Sequence, residues 1–338
     1  MTVTPPLALT MGEPAGIGGE ITLKAWARRD AERLPSFFAL DDPARLASIA
    51  KSLNLSVPVA PIGAAAEAAA LFPRALPVLP LSRAVTTTVG KPERSNAPAV
   101  IESITRAVAL AQSGAIGGIV TNPIQKAALY GADFKFPGHT EFLASLAGGD
   151  AQSVMMLAIE GLRVVPATVH VPVAQVAGAL RTTDLVALGK ITARALTDDF
   201  GIARPRLAVA ALNPHAGEDG SIGREEIEII APAVEAMRAA GIDAFGPAPA
   251  DTLFHAAART KYDAVLCMYH DQALIPLKTL DFDGGVNVTL NLPFVRTSPD
   301  HGTALDIAGK GIANPASLIA ALRMASTMAE TRAKRATA

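Results

Sequence analysis

Short apolar runs alternate with longer amphipathic stretches from one end of the chain to the other. Leu7 to Met11 is followed by Ile17 to Arg29, Ala97 to Gln112 by Gly117 to Thr121, and Arg206 to Leu212 by Arg224 to Ala239. Each apolar run is short enough for a buried strand, and each intervening segment is long enough for a crossover helix. That order predicts an α/β fold with a mostly parallel sheet. Proline and glycine punctuate the joins, as in Gly12-Glu13-Pro14-Ala15-Gly16 and Gly246-Pro247-Ala248-Pro249. With 338 residues, 50% of them hydrophobic, the chain can fill one large core or two ordinary ones.

Charge excludes several function classes. Lys and Arg total 30 against 31 Asp and Glu, so there is no basic footprint for nucleic acid or an anionic membrane surface. Arg332, Lys334 and Arg335 read as a solvated helix end. No apolar stretch is long enough to span a bilayer, and Met1 to Thr10 lacks the basic start of a signal peptide; cytoplasmic residence is the expectation. The single cysteine, Cys267, lies in Ala264-Val265-Leu266-Cys267-Met268 and reads as a buried thiol. Any site for an anion or metal must therefore be built locally, without thiolates.

Tyr269 to Pro315 concentrates the residue types for such sites: Tyr269-His270-Asp271-Gln272, then Lys278, Asn287 and Arg296, then His301-Gly302-Thr303-Ala304 and Ala308-Gly309-Lys310-Gly311-Ile312-Ala313-Asn314-Pro315. Three histidines stand where a strand-like run ends: His170 after Val164 to Val169, His215 after Leu207 to Asn213, and His270 after Ala264 to Tyr269. Ligands in α/β folds collect beyond the carboxyl ends of strands. Neutral imidazoles there suit a divalent ion such as zinc, although the spacing has no metal signature; three separate loop histidines bonded to backbone are the alternative.

His139 and Thr140 follow Phe136-Pro137-Gly138 and precede the apolar helix Glu141 to Leu146, with Thr140 as the expected N-cap and the helix start as an alternative anion site. Lys278 and Arg296 lie in apolar or glycine-rich surroundings, where a fork of arginine donors suits phosphate or carboxylate. Asp251 stands before a helix, either as an N-cap or as a proton-handling carboxylate. Gly16-Ile17-Gly18-Gly19 lacks the third glycine of the ordinary dinucleotide fingerprint, and no acidic residue occupies the ribose position. His301 to Pro315 is the alternative nucleotide segment, expected as a glycine turn, a short helix, a second turn and then a C-terminal helix from about Ala316.

That segment resembles the cofactor loop of the isocitrate and isopropylmalate dehydrogenase superfamily. Within it, the chain resembles the 4-hydroxythreonine-4-phosphate dehydrogenase family of pyridoxal phosphate synthesis through Gly12-Glu13-Pro14-Ala15-Gly16-Ile17-Gly18, Gly138-His139-Thr140-Glu141-Phe142, Leu212-Asn213-Pro214-His215-Ala216-Gly217-Glu218 and Ala250-Asp251-Thr252-Leu253-Phe254. The same order continues in Met268-Tyr269-His270-Asp271-Gln272, Gly285-Val286-Asn287-Val288-Thr289, Leu292-Pro293-Phe294-Val295-Arg296-Thr297-Ser298 and Asp300-His301-Gly302-Thr303-Ala304.

The resemblance implies a two-domain α/β/α fold with a mostly parallel sheet, distinct from an ordinary Rossmann domain. Residues 1–125 with 295–338 would form the cofactor side, and 126–294 the metal, substrate and dimerisation side. It implies His170, His215 and His270 as ligands of one divalent ion (Zn, Co or Mg) in a homodimer with the active site at the interface, where His270 completes the site. His139, Thr140, Lys278, Asn287 and Arg296 correspond to substrate contacts, and His301, Gly302, Thr303, Ala304, Gly309 and Asn314 to contacts with NAD or NADP. Asp251 and Lys278 are the candidate catalytic groups.

The reaction implied is oxidation of 4-phosphooxy-L-threonine followed by loss of carbon dioxide. Dehydrogenases of erythronate or threonate 4-phosphate or of a dihydrodiol, and a phosphate acyltransferase, are the alternatives. Two positions depart from the family pattern: Asn122 replaces a commoner glycine in Thr121-Asn122-Pro123, and Gly19 replaces a common proline.

Overall fold

The computed structural model describes residues 4–130, 136, 138–148 and 152–337. Among the described residues twelve strands occur in chain order: β1 Leu7–Thr10, β2 Phe37–Asp41, β3 Val59–Pro61, β4 Leu76–Pro80, β5 Gly118–Thr121, β6 Val154–Ile159, β7 Leu162–Pro166, β8 Arg206–Ala210, β9 Asp243–Ala248, β10 Ala264–Cys267, β11 Val286–Leu290 and β12 Arg296–Pro299. They belong to two compact units, residues 1–153 with 292–338 and residues 154–291.

In the first unit the strand order is β3-β4-β2-β1-β5-β12 and every pairing is parallel. Every residue of β1, β2 and β5 is buried, which is why these strands appear in the sequence as continuous apolar runs without alternation. Ala97–Gln112 forms one helix, and Ala99, Val100, Ile104, Ala107 and Val108 give it a buried stripe at helical spacing. The described residues between 126 and 148, grouped with the middle of the chain by the resemblance, pack with this first unit. Leu129, Phe142 and Leu143 share a buried cluster with Ile104, Ile119, Leu292 and Phe294.

In the second unit the order is β11-β6-β7-β10-β8-β9. β6 is antiparallel to both of its neighbours, and β7, β10, β8 and β9 run parallel. Its core contains Leu157, Val164, Ala208, Val265, Cys267 and Leu277. Cys267 is fully buried, and burial pushes its thiol well above the usual range, so it stays protonated and structural. Among the described residues no helix is long and apolar enough to cross a membrane.

Candidate active site

In the first unit the exits of three neighbouring parallel strands, β1, β5 and β12, carry the signature residues. After β1 the chain turns through Gly12, whose φ is +71°; a Cβ there would lie 2.6 Å from the Asn122 Cβ and 2.7 Å from the Pro123 oxygen. Glu13, buried, accepts the Ala15 amide at 3.1 Å, and burial raises its carboxyl pKa. Arg45 is also buried, bonded to both Asp41 oxygens at 3.0 and 2.6 Å and donating to the Pro14 oxygen at 3.1 Å.

Both positions that depart from the family pattern sit in packed surroundings. Gly19 leaves space for Ile49 and Arg45, since a Cβ would stand 2.6 Å from Ile49 Cδ1 and 3.2 Å from Arg45 Nη1. Asn122 points inward: its Nδ2 donates to the Thr10 oxygen at 3.0 Å and to Thr22 Oγ1 at 3.1 Å, fixing the β5 exit against β1.

Gly138, fully extended at φ −170°, caps the helix His139–Leu146. That helix starts two residues earlier than the sequence suggested, so Thr140 lies inside the first turn and is not the N-cap; the side chain of Thr140 lies outside the described residues. His139 Nε2 is buried and has no hydrogen-bond partner among the described residues. Burial, and then the nearby Arg296 charge, hold the His139 pKa well below the ordinary imidazole value, leaving it neutral at pH 7. Arg296 opens β12, is 4% exposed and donates to Thr121 Oγ1 at 2.7 Å. Burial lowers its pKa to about 10, so it keeps its charge at neutral pH.

The segment from His301 to Pro315, expected from the sequence to take a nucleotide, follows β12. Gly302 is exposed, and no atom lies within 4 Å of where its Cβ would be, so packing within the chain does not require a glycine there. His301 Nδ1 meets the Gly302 oxygen at 2.9 Å, while Nε2 is enclosed with no partner. Open space beside a glycine and an unmet imidazole nitrogen fit a ligand at this segment. Thr303, Gly309 and Asn314 lie on the same segment, and the final helix begins at Ala316 as expected. The short helix expected between the turns is absent: residues 305–311 form consecutive turns, because Ala304, Gly309 and Gly311 adopt φ of 44°, 72° and 71°.

In the second unit the three histidines follow β7, β10 and β8, which are adjacent in that order and parallel. His170 and His270 come together, with ring centroids 6.4 Å apart. They line an open cavity of about 410 Å³ with Tyr269, Asp271, Val171 and Val173. His270 Nδ1 meets Asp271 Oδ1 at 2.7 Å, which leaves Nε2 as the ring's other hydrogen-bonding atom. Two imidazoles on one tetrahedral ion place their centroids roughly 5 Å apart. The observed pair is thus near, but wider than, joint ligation. Among the described residues no group of three or more His, Cys, Asp or Glu is placed to hold a metal.

His215 is exposed on a left-handed turn: His215, Ala216, Gly217, Glu218 and Asp219 have φ between 42° and 80°. Four of the five are not glycine, and such a conformation costs roughly 1–2 kcal/mol per residue. Glu226 holds this turn in place. Its Oε1 accepts the Leu212 and Asn213 amides at 2.8 and 2.7 Å, and its Oε2 accepts Asn213 Nδ2 at 2.9 Å. It does so from a π-helical turn, Glu226–Ile230, that precedes the helix Ala231–Ala239.

Sequence reasoning missed two residues that bind the strand exits together. Gln272 Oε1 accepts the Met268 amide at 2.6 Å and its Nε2 donates to the Ala211 oxygen at 2.7 Å; Thr168 Oγ1 donates to the Met268 oxygen at 2.8 Å. Gln272 was visible as part of the Tyr269 to Gln272 run, whereas Thr168 gave no signal. Lys278 lies on the helix His270–Leu280, its ammonium 5.1 Å from the centre of the Phe282 ring, and Asn287 lies on β11. Asp251 is exposed in the 3₁₀ turn Ala250–Thr252 and makes no capping bond; the turn is capped by Pro249 and the next helix by His255.

A buried arginine at the start of β12 beside a neutral histidine, a glycine-rich segment beyond β12, and paired histidines beyond β7 and β10 define a class: an α/β enzyme acting on a small anionic substrate. The chain belongs to the family described as pyridoxal phosphate biosynthetic protein PdxA, whose model matches residues 34–325. It is 56% identical over 335 residues to 4-hydroxythreonine-4-phosphate dehydrogenase of Bradyrhizobium diazoefficiens, covering 96% of this chain and 97% of that protein. The crystal structure of 4-hydroxythreonine-4-phosphate dehydrogenase from Klebsiella pneumoniae superposes with a TM-score of 0.86 at 39% identity, covering 96% of this chain and 100% of that one. A terephthalate 1,2-cis-dihydrodiol dehydrogenase from Burkholderia xenovorans is more distant, with a TM-score of 0.65 at 26% identity over 96% of this chain and 98% of that one.

Proposed function

We propose that the chain oxidises 4-phosphooxy-L-threonine with NAD to 2-amino-3-oxo-4-phosphooxybutanoate, which loses carbon dioxide to give 3-amino-2-oxopropyl phosphate on the route to pyridoxine 5'-phosphate. The observation that carries this reading is similarity to a dehydrogenase of that name at 56% identity over 96% of this chain and 97% of that protein.

Arg296 supplies a fixed positive charge from a buried position, where its interaction with an anion is screened less than at the surface. His139, neutral beside it, offers Nε2 as a hydrogen-bonding atom without adding charge. Together with Thr140, Lys278 and Asn287 they are proposed to orient the phosphate and carboxylate, so that binding energy away from the reacting carbon serves its alignment. Asp251 and Lys278 are the proposed proton-handling groups. His301, Gly302, Thr303, Ala304, Gly309 and Asn314 are proposed to hold NAD, the hydride acceptor.

His170, His215 and His270 would hold one divalent ion, which supplies Lewis-acid polarisation when bound. The 6.4 Å spacing of His170 and His270 within one chain, wider than joint ligation needs, supports completion of the site by a second copy. So do Val173, Ile275 and Phe282, large apolar side chains of the same unit that are 74%, 64% and 73% exposed.

The test is metal content and turnover in His215→Ala and Asp251→Asn. The first variant is expected to lose both, and the second to keep its metal while turnover falls at least about tenfold. Full metal and activity in His215→Ala would overturn the ligand assignment, and unchanged turnover in Asp251→Asn would remove Asp251 from proton transfer.

A further inference from the structure

The nucleotide segment has little apolar anchorage of its own. Ala308 and Ala313 are buried, but Gly309, Lys310, Gly311 and Ile312 between them are exposed. The helix Gly18–Ala27, nearly three hundred residues away in sequence, holds it instead. Glu20, 2% exposed, accepts through Oε1 both the Ala313 amide at 2.9 Å and Lys24 Nζ at 2.7 Å. Lys24 Nζ also donates to the Gly311 oxygen at 2.9 Å and the Ala313 oxygen at 2.8 Å. An ammonium group has three protons, and each of these has an acceptor. At the other end of the segment the Ile17 amide donates to the Thr303 oxygen at 3.1 Å.

The pair is a poor way to gain stability alone. Glu20 Oε2 is buried with no hydrogen-bond partner, and a half-satisfied buried carboxylate is unfavourable compared with an apolar side chain of the same shape. What the arrangement does provide is position. It fixes both the donor and the acceptor groups of the backbone at Gly311 and Ala313, in a stretch where two positive-φ glycines would otherwise allow many conformations.

We propose that Glu20 and Lys24 are positioning residues for the dinucleotide. They hold the Gly311–Ala313 backbone in its binding conformation before the cofactor arrives, so the cofactor does not bear the cost of ordering it. This rests on the reading of residues 301–315 as the NAD segment. Neither side chain is required to touch NAD; the effect passes through the backbone they hold.

The experiment compares the full-length wild type with Lys24→Met and Glu20→Gln. Amide hydrogen exchange across residues 301–315 is followed with and without NADH, alongside the NADH dissociation constant, kcat, and KM for 4-phosphooxy-L-threonine. In the wild type NADH is expected to slow exchange over the segment. In Lys24→Met, residues 309–315 should exchange faster without NADH and NADH affinity should fall about tenfold, while KM for the phosphorylated substrate and kcat at saturating cofactor stay within about twofold. Glu20→Gln keeps an acceptor for Ala313 and Lys24 and should retain affinity within about threefold. Should Lys24→Met not fold, Lys24→Gln carries the same expectations. Protection in the wild type with unaltered NADH affinity in the Lys24 variant overturns the proposal and leaves the NAD segment standing, as does an equal loss for both ligands. Absence of protection in the wild type overturns the reading of the segment, and the proposal with it.

Discussion

His139 sits where two physical demands conflict. It opens a helix beside a buried arginine, yet its own Nε2 is enclosed without a partner. Burial and the Arg296 charge both favour the neutral ring. Because the folded pKa lies below the unfolded value near 6.5, the unfolded chain binds a proton that the native state refuses once pH falls below about 6.5. The stability from keeping this ring neutral is fully present above that pH and is lost as pH falls through the folded value. Between the two, the unfolding free energy should drop by up to about 1.4 kcal/mol per pH unit on account of this residue. Urea unfolding of the wild type and His139→Gln from pH 7.5 to 5 checks this. The variant should show the shallower acid dependence, and equal slopes would show that the ring is accessible to protons when folded. The sequence marked His139 as a site residue through its motif, but burial and the orphaned nitrogen arise from packing that no local pattern records.

At the scale of the elements, the alternation of apolar runs and amphipathic segments was enough to locate the strands that carry the site. Leu7 to Met11, Gly117 to Thr121 and Arg206 to Leu212 are all strands to within one or two residues, and Ala97–Gln112 is a helix at its predicted bounds. Buried parallel strands leave that trace because both faces are covered. One misreading fell where the backbone leaves ordinary geometry, the turns of 305–311 in place of a helix, and nothing in the sequence signalled the π-helical turn before Ala231 or the left-handed turn at His215. No propensity foretells a run of positive φ across His215, Ala216, Glu218 and Asp219, because long-range bonds from Glu226 to the preceding residues hold it.

Gln272 performs the equivalent task between β10 and β8. Gln272→Leu would leave the Met268 amide and the Ala211 oxygen without partners in a buried place, at about 1–3 kcal/mol for each group. Thermal unfolding should show a midpoint lowered by several degrees, together with weaker metal retention, since the exits carrying His270 and His215 lose their tie. A midpoint equal to that of the wild type would mean water replaces the glutamine.

For the whole molecule, the proposed division of the metal ligands between subunits has a direct consequence. His170→Ala and His270→Ala are each expected to be inactive alone. After unfolding and refolding as a mixture, a hybrid dimer would carry both substitutions in one site and neither in the other, restoring about a quarter of wild-type activity if subunits pair at random. No recovery would place both ligands of a working site in the same chain. This division was inferable only from resemblance, because a single sequence does not display its symmetry partner. Family membership was equally a matter of ordered motifs; composition and periodicity reached only an α/β fold with any anion site built locally.

The most direct test of the proposed activity is NADH formation by the purified chain with 4-phosphooxy-L-threonine, threonate 4-phosphate and erythronate 4-phosphate measured side by side, each with and without a chelator. NADH should form with the amino acid phosphate at a kcat/KM at least about tenfold above either sugar acid phosphate, and the chelator should abolish it until a divalent ion is restored. Faster reduction of NAD with threonate or erythronate 4-phosphate, or none with any of the three, would contradict the proposed activity.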